Sequence, residues 1–218
     1  MSARKLRDRL VRRARAVGVE LSPSLIAGLE AYYQELARWN AKVNLTAFSL
    51  TGDGSDAAVD RLLIEPILAA RYIAPEATSL LDAGSGGGSP AIPLKLARPD
   101  LTLHMVEAKV RKSVFLRQAS RTLGLANTTV HTARFEELLT RADLHEAMSV
   151  VSIRAVRVDP KVLTTLQAFL RPGGELLSFS GGAAKPSPVP PLVVIGDYEL
   201  LPGNRSRLLV LRKERIGR

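Results

Sequence analysis

LLDAGSGGGSP, running from Leu80 to Pro90, is a short apolar run closed by an acid and followed by four glycines in five positions. An apolar run of that length, bounded by turn residues, reads as a buried strand. Glycines permit backbone angles with φ > 0 and let a ligand approach without meeting a Cβ. The unit is a strand, a tight loop and a helix, the helix expected over Ala91–Ala97.

Outward from this unit the same alternation repeats. Strands are expected at Ser79–Ala83, Leu101–Val106, Thr128–His131, Met148–Ile153, Glu175–Phe179, Leu192–Ile195 and Leu208–Arg212. Helices fall between the first five, at Ala91–Ala97, Lys109–Leu123, Phe135–Thr140 and Pro160–Leu170. Strands alternating with helices build βαβ units, hence an α/β fold with a mostly parallel sheet covered on both faces. The last two strands have no helix between them and are expected to pair as an antiparallel hairpin at one edge. Gly181 to Pro191 carries four prolines and reads as a loop.

In such sheets ligands bind beyond the carboxyl ends of the strands. A dinucleotide fingerprint G-x-G-x-x-G would need glycine at position 89, which is Ser89. The D-x-G-x-G-x-G spacing, with Asp82 just before Gly84, Ser85 and Gly86, suits a cofactor without phosphate. S-adenosylmethionine carries a sulfonium and an α-amino group, both favoured by a nearby carboxylate. The next strand, LTLHMVEA, ends in Glu107, where an acid can accept hydrogen bonds from ribose hydroxyls in either cofactor class. Loop, Asp82 and Glu107 together favour S-adenosylmethionine. The expected architecture is the Rossmann-like sheet of class I S-adenosylmethionine-dependent methyltransferases, mostly parallel with one antiparallel edge strand.

The first 75 residues read as a helical cap and residues 76–218 as the cofactor domain. Arg4 to Val17 holds seven basic residues with Leu6, Leu10, Ala14 and Val17 at helical spacing. Its cationic face is one that phosphates could occupy, although a charge run is more often a solvated surface. Ser22-Pro23 reads as an N-cap with Pro at the first helical position. Leu25, Ile26, Leu29, Tyr33, Leu36 and Trp39 then predict a long amphipathic helix. A breaker cluster over Thr51 to Ser55 precedes a third helix from about Ala57 to Tyr72.

Of 218 residues 46% are hydrophobic and 24% charged, an ordinary globular balance. There is no cysteine, which excludes disulfides and thiolate metal sites and suits a reducing, cytoplasmic compartment. No apolar run reaches the roughly 18 residues of a membrane helix, and no signal peptide is apparent. Lys and Arg outnumber Asp and Glu by 31 to 21, a net charge of +10. Such an excess favours a polyanionic partner, nucleic acid first. His104, His131 and His145 are scattered, show no metal-ligand spacing and read as structural.

Several motifs, taken in order, resemble the bacterial 16S ribosomal RNA guanine-N7 methyltransferases, also called glucose-inhibited division protein B. They are WNAKVNLTA (Trp39 to Ala47), LLDAGSGGGSPAIPLKLARPD, VEAKVRKSVFLRQASRTLGL (Val106 to Leu125), ARFEEL (Ala133 to Leu138) and SIRAV (Ser152 to Val156). The resemblance implies that Gly84 and Ser89 lie against the methionine end of the cofactor and Glu107 takes the ribose. It implies that Phe135 and Glu136 flank the adenine, and that Arg154, the catalytic residue, sits beside cofactor and incoming base. It also implies ribosomal RNA or the small ribosomal subunit as partner, for an enzyme expected to be monomeric. Arginine at a strand end also makes chemical sense unaided, since its guanidinium clamps anions bidentately or stacks on a base. Guanine N7 has a lone pair and no proton, so alignment alone can drive transfer, without a general base.

The family's R-H-x-x-D-S block reads RLLIEP here, so Arg61 fits while Leu62, Glu65 and Pro66 depart from it. A lysine typical of the fifth strand end is Ser180. These positions are expected near the substrate mouth and bear on the RNA target more than on the cofactor. Three other readings stand beside this one: a methyltransferase acting on another substrate, a non-catalytic RNA-binding factor on the same scaffold, and a nicotinamide-dependent oxidoreductase using the same loop.

Overall fold

The computed structural model describes residues 3–50, 55–154, 158–181, 187–203 and 205–215. The breaker residues Thr51–Gly54, Ala155 and Val156 of the SIRAV block, and 182–186 of the proline-rich loop lie outside the described residues.

Seven strands form one sheet: β1 (Ser79–Ala83), β2 (Thr102–Val106), β3 (Thr128–His131), β4 (Met148–Arg154), β5 (Leu170–Ser180), β6 (Leu192–Glu199) and β7 (Arg207–Lys213). Their order is β3-β2-β1-β4-β5-β7-β6, with the first five parallel. The hairpin expected at the edge is present. Strand β7 is antiparallel to both β5 and β6, which places it one position in from the edge. From β1 the chain builds outward to β2 and β3, then returns to lay β4 and β5 on the other side. The carboxyl ends of β1 and β4 therefore flank the point where strand order reverses, and a crevice opens there.

Strand periodicity divides the core into two faces. Leu80, Leu103, Met105, Val150, Leu177 and Phe179 point to one face, and Leu81, Ala83, Val106, Val151, Ile153 and Leu176 to the other. The first face carries the N-terminal helices α1 (Ala3–Ala16) and α2 (Pro23–Val43). Leu6, Leu10, Leu29, Tyr32 and Leu36 share one continuous apolar cluster with the sheet, so cap and sheet are packed as one body. Ser22 Oγ accepts from the Leu25 amide at 3.2 Å, with Pro23 opening α2 as the sequence predicts.

The basic run of α1 is largely neutralised within the cap. Arg7 pairs with Glu30 at 2.7 Å, Arg9 and Arg12 with Asp56 at 3.1 and 2.8 Å, and Arg13 with Asp60. The guanidinium of Arg12 helps hold the Asp56 carboxyl below its ordinary range. These cations pin the helix to its neighbours, where the sequence alone offered a solvated surface or phosphates.

The third helix is broken where the sequence predicts one continuous stretch. It runs as α3 (Asp56–Val59), a π-helical turn (Asp60–Ile64), α4 (Glu65–Ala69) and a 3₁₀ turn (Ala70–Tyr72). In the π turn the Glu65 amide bonds back to the Asp60 carbonyl, and Pro66 follows with no amide hydrogen. The Arg61 carbonyl thus loses its usual i+4 donor to Asp60, and the Leu62 carbonyl has none because position 66 is proline. Helices α5 (Ala91–Ala97), α6 (Val110–Thr122) and α7 (Pro160–Gln167) and a 3₁₀ turn (Phe135–Thr140) complete the fold.

Candidate active site

The crevice at the strand-order reversal is a cavity of about 380 Å³, within the usual range for small-molecule sites. Its walls include Gly84, Ser85, Gly86, Ser89, Glu107 and Arg154 from the expected set, with Gly87 of the same loop. Leu36, the segment Leu45 to Phe48, Arg61, Leu62 and Lys112 complete it.

The loop is folded by its own backbone. The amides of Gly84 and Ser85 both reach the Val106 carbonyl at 2.9 Å, and Gly88 closes a turn onto Ser85 at 2.7 Å. Gly86 stands at φ +51°, and a Cβ there would meet only the Gly84 carbonyl, at 3.7 Å, and otherwise open space. Gly87 differs: its Cβ would lie 3.0 Å from the Leu45 carbonyl. Tyr32, from the cap, donates to the Gly87 carbonyl at 2.7 Å. Burial pushes its phenol well up, so it remains a donor.

Glu107 closes β2 and anchors the loop. Its Oε2 accepts from the Gly86 amide at 2.9 Å and its Oε1 from the Lys109 amide at 2.7 Å. Each carboxylate oxygen can accept a further bond, so the side chain can still take hydroxyls from the cavity. Asp82 stands at the end of β1 as the sequence places it, but it is buried and does not line the cavity. Asp82 and Ser152 are register partners in β1 and β4, and Ser152 Oγ donates to Asp82 Oδ1 at 2.6 Å. Burial pushes the Asp82 carboxyl up while the Ser152 bond opposes the shift.

Arg154 ends β4 on the cap side of the sheet. Its guanidinium lies 4.3 Å from the centroid of the Phe179 ring, its register partner in β5. One terminal nitrogen donates to the freed Arg61 carbonyl and lies 3.2 Å from Ser89 Oγ; the other reaches Glu65 Oε2 at 3.2 Å. Ser89 Oγ in turn donates to the freed Leu62 carbonyl at 2.9 Å. Both carbonyls released by the π turn and Pro66 are therefore taken by site residues. Glu65 also binds Arg61 at 2.7 Å, so it bridges two arginines. A carboxylate stands where the family motif has aspartate, and this departure keeps the charge. Burial brings Arg154 down to about 10, so the group stays charged at neutral pH.

Phe135 and Glu136 lie outside the cavity walls, on the 3₁₀ turn that follows β3. Phe135 packs against the second core face and Glu136 is exposed. Their strand end adjoins that of β2, where the Glu107 amide bonds the His131 carbonyl at 3.0 Å. The cap's contribution was missed, although WNAKVNLTA carries its trace. Asn40 Oδ1 accepts from the Leu45 and Thr46 amides at 2.7 and 2.9 Å, and Asn44 adopts φ +51°. These two asparagines turn the chain back from α2 into the cavity. His104 and His131, scattered in sequence, stack on adjacent strands with ring nitrogens 3.1 Å apart.

The glycine cradle, open at Gly86, and the Glu107 carboxylate beside it fit the polar, phosphate-free cofactor inferred from the sequence. Fold and site together define a class I S-adenosylmethionine-dependent methyltransferase. Solved structures share the fold: a putative O-methyltransferase from Klebsiella pneumoniae has a TM-score of 0.59 at 14% identity, covering 98% of this chain and 99% of that one. A SAM-dependent methyltransferase from Aquifex aeolicus has 0.55 at 13%, covering 72% and 93%. The family model for GidB, rRNA small subunit methyltransferase G, matches residues 25–186, and the chain belongs to that family. Ribosomal RNA small subunit methyltransferase G of Ralstonia nicotianae is 35% identical over 178 residues, 80% of this chain and 78% of the relative. The same-named protein of Myxococcus xanthus is 33% identical over 184 residues, 83% and 81%. Membership in this family sets the oxidoreductase reading aside.

Proposed function

We infer that this chain transfers the methyl group of S-adenosylmethionine to N7 of a guanine in 16S ribosomal RNA. The observation that carries the reading is the single cavity that joins the glycine loop and Glu107 to Arg154 at the strand-order reversal. The cofactor, when bound, supplies an electrophilic methyl group on a sulfonium. Glu107 and the loop backbone would hold it, with Gly84, Ser85, Gly86 and Ser89 at its methionine end and Phe135 and Glu136 toward its adenine. Asp82 acts from behind the loop, through the strand end it fixes with Ser152. Arg154 presents a fixed cation to the incoming nucleotide. The proton-free N7 asks the protein for alignment and shelter from water rather than for a base.

We take residues 1–75 as a cap that closes one wall of the cavity and residues 76–218 as the methyltransferase domain. Leu36 and Leu45 in that wall, and the Tyr32 bond to the loop, support this division. Among the described residues no helix is long and apolar enough to cross a membrane. The absence of cysteine and the ribosomal substrate favour the cytoplasm, and we take the enzyme as a monomer.

The test is calorimetric binding of S-adenosylmethionine together with methylation of 30S particles from a strain lacking this modification. Nucleoside analysis should return 7-methylguanosine. Tight cofactor binding with no methyl in the RNA, or a methyl on another atom, would overturn the substrate assignment.

A further inference from the structure

The net charge of +10 points to a polyanion, yet α1, its most conspicuous basic run, is largely paired with Glu30, Asp56 and Asp60. A different segment carries the uncompensated charge. Between Glu107 and Glu136 the chain has no acidic residue and six cations: Lys109, Arg111, Lys112, Arg117, Arg121 and Arg134. None of these six has an acidic partner among the described residues. Arg117 donates to the Val130 carbonyl at 3.2 Å and to Thr132 Oγ1 at 2.6 Å, which are neutral acceptors that leave its charge unbalanced.

Three of the cations, Lys109, Arg111 and Lys112, stand at the start of α6, where the helix dipole is already positive. Helix stability gains nothing from that placement. Val110 and Val114, one turn apart on the same helix, are 65% and 46% exposed, so the basic face also offers apolar contact. The position matters as much as the charge. Lys112 forms part of the active-site wall, and α6 leads away from it for about 15 Å. At its far end lies an open groove of about 520 Å³ against edge strand β3, where Arg117 and Arg121 face Thr128 and Thr129.

We propose that the outer face of α6, with the groove it shares with β3, is the docking surface for the RNA flanking the target guanine. The proposal rests on the functional reading above. Lys109, Arg111 and Arg121 neutralise phosphates, and Val110 and Val114 pack on ribose and base faces. Charge complementarity selects this occupant, because the five cations of α6, from Lys109 to Arg121, repel a second copy of the same surface.

The test compares Arg111→Ala/Arg121→Ala with Arg4→Ala/Arg15→Ala, which removes the same charge from the exposed side of α1. The probe is 16S ribosomal RNA lacking the modification, bound at several salt concentrations. Each lost phosphate contact lowers the slope of log K against log[salt] by about 0.7–0.9. The α6 variant should lose about 1.5 from that slope and raise the KM for RNA about tenfold, with cofactor affinity and Tm unchanged. The α1 variant should change neither by more than a third as much. Equal behaviour of the two variants, or a dimer that the α6 substitutions dissociate, would overturn the proposal. Wild-type protein that binds RNA without methylating it defeats the functional reading alone, since the binding comparison still decides the surface.

Discussion

Glu65 and Arg154 meet at 3.2 Å inside the protein, their side chains 1% and 8% exposed. They come from a helix with an inserted π turn and from the end of a central strand, 89 residues apart. Removing one partner of such a pair strands the other charge in a poorly solvated site, at about 3–5 kcal/mol. Glu65→Ala should therefore lower unfolding free energy by that amount in denaturant titrations, and Glu65→Asp should recover most of it. A Glu65→Ala protein as stable as the parent would show that the pair contributes nothing.

Arg154 is held by two hydrogen-bonding nitrogens and a stacked ring, a geometry that a lysine ammonium cannot reproduce. Arg154→Lys keeps the charge and loses the fork. Single-turnover methyl transfer should fall about 10²-fold, the usual effect of an ångström-scale misplacement, with a smaller change in cofactor affinity. Equal losses in binding and transfer would argue for a role in cofactor binding only.

The glycine loop separates two kinds of requirement. At Gly86 the left-handed conformation costs an L-residue about 1–2 kcal/mol, and the added methyl faces open space. At Gly87 the methyl would press on the Leu45 backbone at 3.0 Å. Gly86→Ala should weaken S-adenosylmethionine binding about tenfold with a modest loss of stability, as calorimetry and thermal melts would show. Gly87→Ala should chiefly destabilise the contact between cap and loop. The reverse pattern would place the cofactor elsewhere.

Burial holds the rings of His104 and His131 below the ordinary value of 6.5, with Arg141 and Arg117 opposing protonation and Asp143 favouring it. The unfolded chain therefore binds protons at pH values where the native state still excludes them. Their contribution is complete above about pH 6.5 and is lost as pH falls from there through the lowered native values. Tm should drop on acidification, and less steeply in His131→Gln. Parallel curves for the two proteins would rule out the histidine pair as the cause.

Much of this fold was legible because its signals are local. The strand, glycine loop and helix at 79–97 follow one another directly, and Glu107 closes the very next strand. Strand β5 was read too short because Pro172 and Gly173 look like a stop. The structure carries the strand through them from Leu170, with an irregular register opposite Met148. The cap wall was not legible, since Tyr32 reaches Gly87 from 55 residues away. Nor could the charge of α1 be assigned without knowing that Asp56 and Asp60 fold back against it. The carbonyls of Arg61 and Leu62 carry no side-chain signal of their own. Pro66, four positions beyond Leu62, was their one trace, and it read as a mere departure from the family motif.

The π turn at 60–64 holds one residue more than an α-helix would need to span the same path. Deleting Leu63 would let the segment relax to regular helix without moving the elements on either side of it. The Leu62 carbonyl that now receives Ser89 would then meet the Ile67 amide four positions on, with no site side chain altered. Chain length in this turn is thus as specific a requirement as any side chain, and an alignment that scores only substitutions would pass over its loss.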